Sequence, residues 1–207
     1  MVKKEYQKKR KEHSYGGIVP IIGPSSCGKS CVLEELGRRG YDTHHEIAKQ
    51  VINERYGYIK EGDSKEDIEK EIETRERIMY GRQEKLESSL LENPGFHFME
   101  RSIIGVFAFS DFYLGHVPKD FDMDKNLKSR YFKVFNLKDL EDFKKTKSRV
   151  ESSKEEAEKV QKKVLEYYNS FGIDPVDVPN FSNKKARNVK KRADFILDNL
   201  GLPYLNK

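Results

Sequence analysis

Cysteine is nearly missing from this chain of 207 residues: only Cys27 and Cys31 occur, close together in one motif, which leaves no framework for structural disulfides. No apolar run approaches the roughly 20 residues needed to span a bilayer. Residues 1–16 are polar and basic and lack the apolar centre of a secretory signal. No membrane partner is expected, and a cytoplasmic location is the default expectation. Internal repeats and dividing linkers are also missing, so the organisation expected is a basic, flexible tail over 1–16 and one domain over 17–207. The hydrophobic fraction is low at 36%, but apolar runs recur along the chain, which excludes wholesale disorder.

What is abundant is charge. Charged residues also make up 36%, with a net charge of +5. That balance suits a protein handling polyphosphates. Lysines and arginines are mostly interleaved with Glu and Asp, as on solvated helix faces, and the one basic block, residues 3–11, falls in the tail. Nucleic acid is therefore not the expected partner. Oligomeric state is left open by composition.

The apolar run 17–22 ends in Gly23-Pro-Ser-Ser-Cys-Gly-Lys-Ser30, and a helical pattern with Val32, Leu33 and Leu36 on one face follows, stopping at Gly40. Pro20 lacks a ladder donor, so a local irregularity is expected in that strand. Strands are expected at 41–45, 96–99, 131–137 and 173–178. Helices are expected at 46–56, 64–91, 102–114, 151–171 and 183–200. The long helix carries a capping box in Ser64 and Asp67, and its core stripe reads as Ile68, Ile72, Ile78 and Met79. Ser102 is expected to cap the next helix. Alternating strands and helices give an α/β fold, a three-layer sandwich with a mainly parallel sheet.

Gly23, Gly28, Lys29 and Ser30 match the phosphate-loop pattern G-x-x-x-x-G-K-[ST]. A chance match is expected on the order of once per hundred chains of this length, and here a β-type run precedes it and a helical run follows. The two glycines let successive N–H groups converge on phosphate oxygens, and the helix adds its positive end. Lys29 would reach the β- and γ-oxygens and Ser30 would ligate Mg²⁺. Ser25, Ser26, Cys27 and Cys31 complete the residues expected around a nucleoside triphosphate. A thiol at a helix start can have a lowered pKa, but for Cys27 a small residue filling a variable loop position is the simpler reading.

The strand after the long helix ends in Glu100-Arg101-Ser102. In a parallel sheet this end opens at the same edge as the phosphate loop, so Glu100 can approach Mg²⁺ and Arg101 can face a phosphoryl acceptor. A surface acid–arginine pair is the alternative. Arg149 follows Lys144, Lys145 and Lys147, which makes residues 138–152 a candidate basic lid over the triphosphate; a solvated turn is the alternative. Glu46 starts a helix, where the dipole alone would favour an acid. His44 and His45 have no further ligand spacing around them, so no metal site is expected there. Tyr56, Tyr58, Phe107 and Phe109 could wall a planar acceptor, though each at its spacing suits core packing.

Glu100-Arg101-Ser102 resembles the corresponding motif of deoxynucleoside kinases and the Asp-Arg pair of thymidylate kinases. That resemblance implies that Arg101 engages the acceptor and Glu100 lies at the metal. It also implies that Glu46 acts as base towards the substrate hydroxyl, although Ile47 stands where those kinases have proline. More broadly, the chain resembles the AAA-domain P-loop ATPase/kinase family related to the nicotinamide riboside kinase domain. The stretches that carry this are Gly23 to Ser30, Glu46 to Ile52, Arg82-Gln83, Glu100-Arg101, Arg149-Val-Glu151, Glu155 to Ala157, Tyr168, Gly172, Val176 to Pro179 and Phe195 to Leu197. The function expected is phosphoryl transfer from ATP, with Mg²⁺, to a small acceptor of the nucleoside, nucleotide or related metabolite class. Lys29, Glu46, Arg101 and Arg149 are its candidate catalytic residues. The alternative is a regulatory NTPase switching a protein or nucleic-acid partner. Its GTPase form lacks the expected Asn-Lys-x-Asp motif here, and its AAA+ form would show two adjacent acids where Glu100 precedes Arg101.

Overall fold

β1 (Gly17–Ile22) is apolar along its length because both of its faces are covered: Ile18 and Ile22 enter one hydrophobic cluster, Val19 and Ile21 the other. The computed structural model describes residues 16–45, 47–138 and 153–204. Its other strands are β2 (Asp42–His44), β3 (Phe96–Glu100), β4 (Phe135–Leu137) and β5 (Val176–Val178). They form one sheet in the order β2-β3-β1-β4-β5, every neighbouring pair parallel.

The helices are α1 (Lys29–Arg38), α2 (Ile47–Glu54), α3 (Lys65–Leu91), α4 (Ile103–Leu114), α5 (Lys154–Ser170) and α6 (Lys185–Leu200). One face of the sheet is covered by α1 and α6 through Val32, Leu33, Leu36, Ile196, Leu197 and Leu200. The other is covered by α2 to α5, with Val51, Met79, Ile104, Phe107 and Val164 in its cluster. This is the expected three-layer α/β sandwich. After β1 the chain moves to one side for β2 and β3, and later to the other for β4. The loop that follows β1 therefore sits at the switch point where ligands enter parallel sheets.

Pro20 is accommodated at the irregularity expected of it. On the β3 side, β1 is paired from Gly17 to Ile21. On the β4 side it has an isolated bridge from Ile18 to Tyr131 and then a ladder only at Ile21 and Ile22. Pro20 occupies the interval, where no donor is required of it. The same gap shortens β4 from the expected 131–137 to three residues.

The largest departure from expectation is the buried face of α3. Ser64 does cap it, accepting from Asp67 N at 3.1 Å and donating to Asp67 Oδ2 at 2.6 Å. Of the expected stripe, however, only Met79 is fully buried; Glu71, Glu76, Gln83, Glu87 and Leu90 share its face. Glu71 and Glu87 are buried with several donors each. Glu71 accepts from Arg55 at 2.5 and 2.7 Å and from Arg75 at 2.9 Å. Glu87 accepts from Ile103 N at 2.8 Å, Gln83 at 3.0 Å and Tyr131 Oη at 2.7 Å. At Glu71 the Arg55 guanidinium holds the pKa below the usual carboxylate range, whereas at Glu87 burial outweighs its hydrogen bonds and pushes the pKa up.

Candidate active site

The phosphate loop takes the shape its glycines permit. Gly28 is left-handed at φ 95 and serves as N-cap of α1. A Cβ on Gly23 would lie 2.6 Å from Leu137 O and 2.7 Å from Cys27 Sγ, so no other residue fits there. Ser26 is also left-handed, at φ 73, without being glycine. Strain of this kind is held where backbone donors must converge. Lys29 curls over the loop, its Nζ donating to Gly23 O at 2.8 Å and Pro24 O at 3.0 Å.

Cys27 faces inward and is fully buried in the cluster under α1 and α6. Burial pushes its thiol pKa up, against the pull of Lys29 and Arg192. The lowered-pKa reading is thereby overturned, and the small-residue reading stands. Cys31 is half-buried on the first turn of α1.

Ser30 and Glu100 meet, although 70 residues separate them in the chain. Ser30 Oγ donates to Glu100 Oε2 at 2.9 Å, and the Glu100 side chain is 3% exposed. Lys49, on α2, donates to Ser30 Oγ at 3.0 Å and lies 3.5 Å from Glu100 Oε1. The sequence reading passed over Lys49. Its signal was its place one helical turn after Glu46, which brings it to the same sheet edge. Glu46 itself, Arg149 and lid residues 139–152 lie outside the described residues.

Arg101 leaves β3 in a left-handed conformation, φ 74, that costs an arginine about 1 kcal/mol or more. Contacts on both sides hold it there. Its guanidinium lies 3.7 Å from the Phe109 ring centroid, a stacking worth about 1 kcal/mol. Gly105 leaves room for its stem, since a Cβ at Gly105 would fall 2.7 Å from Arg101 Cγ. Buried Glu76 is nearby: burial pushes its pKa up to about 7, with Arg101 the chief opposing influence.

Ser102 does not cap α4 with its side chain. Its hydroxyl shares a 2.6 Å hydrogen bond with Tyr168 Oη of α5, and Glu87 takes over the capping of Ile103 N. A buried network thus clamps the turn that carries Glu100 and Arg101.

A cleft opens between the phosphate loop and α5, lined by Pro24, Ser25, Lys29, Arg101, Phe109 and Gln161 among others. Phe109 is the one proposed aromatic wall that lines it. Phe107 is core, while Tyr56 and Tyr58 are exposed and Tyr58 lies against the Arg55 guanidinium.

Beneath the loop lies Arg192, 1% exposed, another residue the sequence reading missed. It donates to Cys27 O at 2.5 Å, Lys138 O at 2.6 Å and Asn180 Oδ1 at 2.5 Å. The signal was a charge on the apolar stripe that includes Ala193, Ile196 and Leu200. Arg192→Met keeps the stem but strands the buried Cys27 carbonyl and removes the bond to the part-buried Lys138 carbonyl, and is expected to cost about 3 kcal/mol. Urea unfolding tests this, and a loss below about 1 kcal/mol would contradict it.

No curated protein matches the chain. Among solved structures, a deoxyadenosine kinase from M. mycoides, with dCMP and a flexible dCDP bound, is 18% identical with TM-score 0.56, covering 89% of this chain and 98% of that one. The NadR protein, in complex with NR, is 16% identical with TM-score 0.65, covering 98% of this chain and 57% of that one. A thymidylate kinase from Ehrlichia chaffeensis is 12% identical with TM-score 0.52, covering 89% of this chain and 98% of that one. These likenesses give the fold, that of the P-loop nucleoside and nucleotide kinases. A family model described as an AAA domain matches residues 18–187, most of the length, and the chain belongs to that family.

Proposed function

We propose that the chain is a phosphotransferase that moves the γ-phosphoryl group of ATP to a small acceptor of the nucleoside, nucleotide or related metabolite class. The observation that carries this is the meeting of Ser30 with buried Glu100, which places Arg101 over a cleft adjoining the phosphate loop. A kinase needs these parts together, because phosphoryl transfer is mostly positioning and charge stabilisation. The fold shared with deoxyadenosine and thymidylate kinases supports the same reading.

The donor set fits Mg²⁺. A hydroxyl and a carboxylate supply hard oxygen ligands, and the Lys49 ammonium beside them indicates that this spot gathers positive charge. Ser30 would hold the ion directly and Glu100 directly or through a water. Bound there, Mg²⁺ supplies charge neutralisation at the phosphate oxygens. Lys29 would pass from the Gly23 and Pro24 carbonyls to the β- and γ-oxygens, while the loop N–H groups hold the rest of the triphosphate. Arg101, fixed against Phe109, would orient the acceptor in the cleft. Residues 138–152 with Arg149 are proposed to close over it, and Glu46 to accept the acceptor's proton.

Activity is expected to require Mg²⁺ or Mn²⁺, and Glu100→Gln should raise the metal concentration needed by at least about 10-fold. A metal titration of initial rates checks this. Full activity in excess chelator, or an unshifted titration, would count against it. A thermal-shift screen of nucleosides, nucleotides and vitamins, each with Mg²⁺ and a non-hydrolysable ATP analogue, tests the acceptor class. An acceptor at about 100 times its Kd should stabilise the fold by about 2.7 kcal/mol. A screen without any acceptor-dependent shift would speak against the transferase reading.

A further inference from the structure

His44 and His45 offered no ligand spacing in sequence, yet the sheet supplies it. Asp42 and His44 alternate along β2 and so share one face, and His97 is the direct register partner of Asp42 on β3. Three ligand atoms, one from each of Asp42, His44 and His97, lie within 4.8 Å of one another. His97 Nδ1 is 2.7 Å and His44 Nε2 3.3 Å from the same oxygen, Asp42 Oδ2. Tetrahedral ligands at about 2.0–2.1 Å from zinc stand ~3.3 Å apart, so modest side-chain adjustment brings all three onto one ion.

Two further features point to a ligand. His97 Nε2 is 3.0 Å from the Asn93 carbonyl, which only accepts, so that nitrogen carries a hydrogen. The ring is thereby oriented as a metal-bound histidine is oriented by its second hydrogen bond. Nδ1 then faces a carboxylate oxygen at 2.7 Å, a position that a proton or a metal ion can bridge. His44 converges on the same oxygen. Its Nε2 is shielded from solvent and lies 3.3 Å from the same carboxylate oxygen, close enough for an ion pair but without the geometry of a full hydrogen bond. One ion would engage all three groups at once. Asp42, its side chain 40% exposed, leaves an entry for the ion and for a water as fourth ligand.

We infer that Asp42, His44 and His97 form a zinc-class metal site, separate from Ser30 and Glu100, that ties edge strand β2 to β3. Two imidazoles and one carboxylate suit zinc better than magnesium, which prefers oxygen ligands alone. The site lies just before α2, the helix that brings Lys49 to Ser30, so the ion would brace the start of that helix.

The test uses the full chain after chelator treatment, titrated calorimetrically with ZnCl₂ and followed optically with CoCl₂. One equivalent of Zn²⁺ should bind in the presence of excess Mg²⁺ and raise the melting temperature. Co²⁺ should give the visible bands of a tetrahedral nitrogen and oxygen site. His44→Ala and Asp42→Asn remove partly exposed side chains and should each weaken Zn²⁺ binding at least 10-fold while circular dichroism confirms the fold. Glu100→Gln should leave the affinity unchanged. His97, 2% exposed, is a poorer probe because its loss disturbs packing. The inference is overturned by no Zn²⁺ binding, by full affinity in His44→Ala, by loss of binding in Glu100→Gln, or by near-ultraviolet thiolate bands that would place the ion on Cys31.

Discussion

Lys29→Ala is expected to lower phosphoryl transfer by at least about 100-fold, the usual loss when one preorganised donor to developing charge is removed, while the protein stays folded. Lys29 is half-buried, and its ammonium donates to two loop carbonyls, Gly23 O and Pro24 O. Water can replace it at both. The loop itself is held from below by Arg192 on Cys27 O and by buried Cys27. Neither depends on the lysine, so a stability change within about 1 kcal/mol is expected. Transfer assayed beside thermal unfolding checks both halves. Near-normal turnover in a folded mutant would mean that the loop does not serve the reaction proposed.

The loop was legible because its requirements are local: two glycines, a lysine and a hydroxyl at fixed spacing, entered from a strand and left by a helix. Glu100 and Arg101 were legible as the end of an apolar strand, since a parallel sheet brings strand ends to one edge. Contacts made by register and helix packing were not. Nothing in the spacing of Asp42, His44 and His97 announces that β2 and β3 set them side by side. The isoleucine stripe expected on α3 failed because that helix sets part of its face against polar groups, the Arg55 side chain and the backbone at the start of α4. Glu71 and Glu87 are matched there to donors, a pairing that hydrophobic periodicity does not register. Arg192 escaped for the same reason: its partners are backbone carbonyls and an amide, groups a sequence does not display as complementary charge.

Arg101 separates a kinase from a regulatory NTPase. It leaves β3 with a left-handed backbone and sits over Phe109, while Glu87 and Tyr168 secure the turn without it. In a kinase the guanidinium holds the acceptor, so Arg101→Ala should reduce single-turnover transfer at least about 100-fold. ATP affinity should change little, because in the proposed site the loop, not Arg101, would hold the triphosphate. Arg101→Lys keeps the charge but loses the planar fork and the stacking, and should fall between wild type and alanine. Loss of the arginine also removes the influence that opposes the burial of Glu76, whose pKa of about 7 should then rise further. A carboxyl whose folded pKa exceeds its unfolded value contributes most stability at low pH and loses it as pH rises through the folded pKa. Arg101→Ala should therefore be assayed near pH 6 as well as pH 8, so that a stability loss is not mistaken for a catalytic one. If the chain is instead a switch, Arg101 has no acceptor to hold, and slow ATP hydrolysis should survive both substitutions. Transfer unchanged in a folded Arg101→Ala would remove the acceptor role and leave hydrolysis coupled to a partner as the better account of the site.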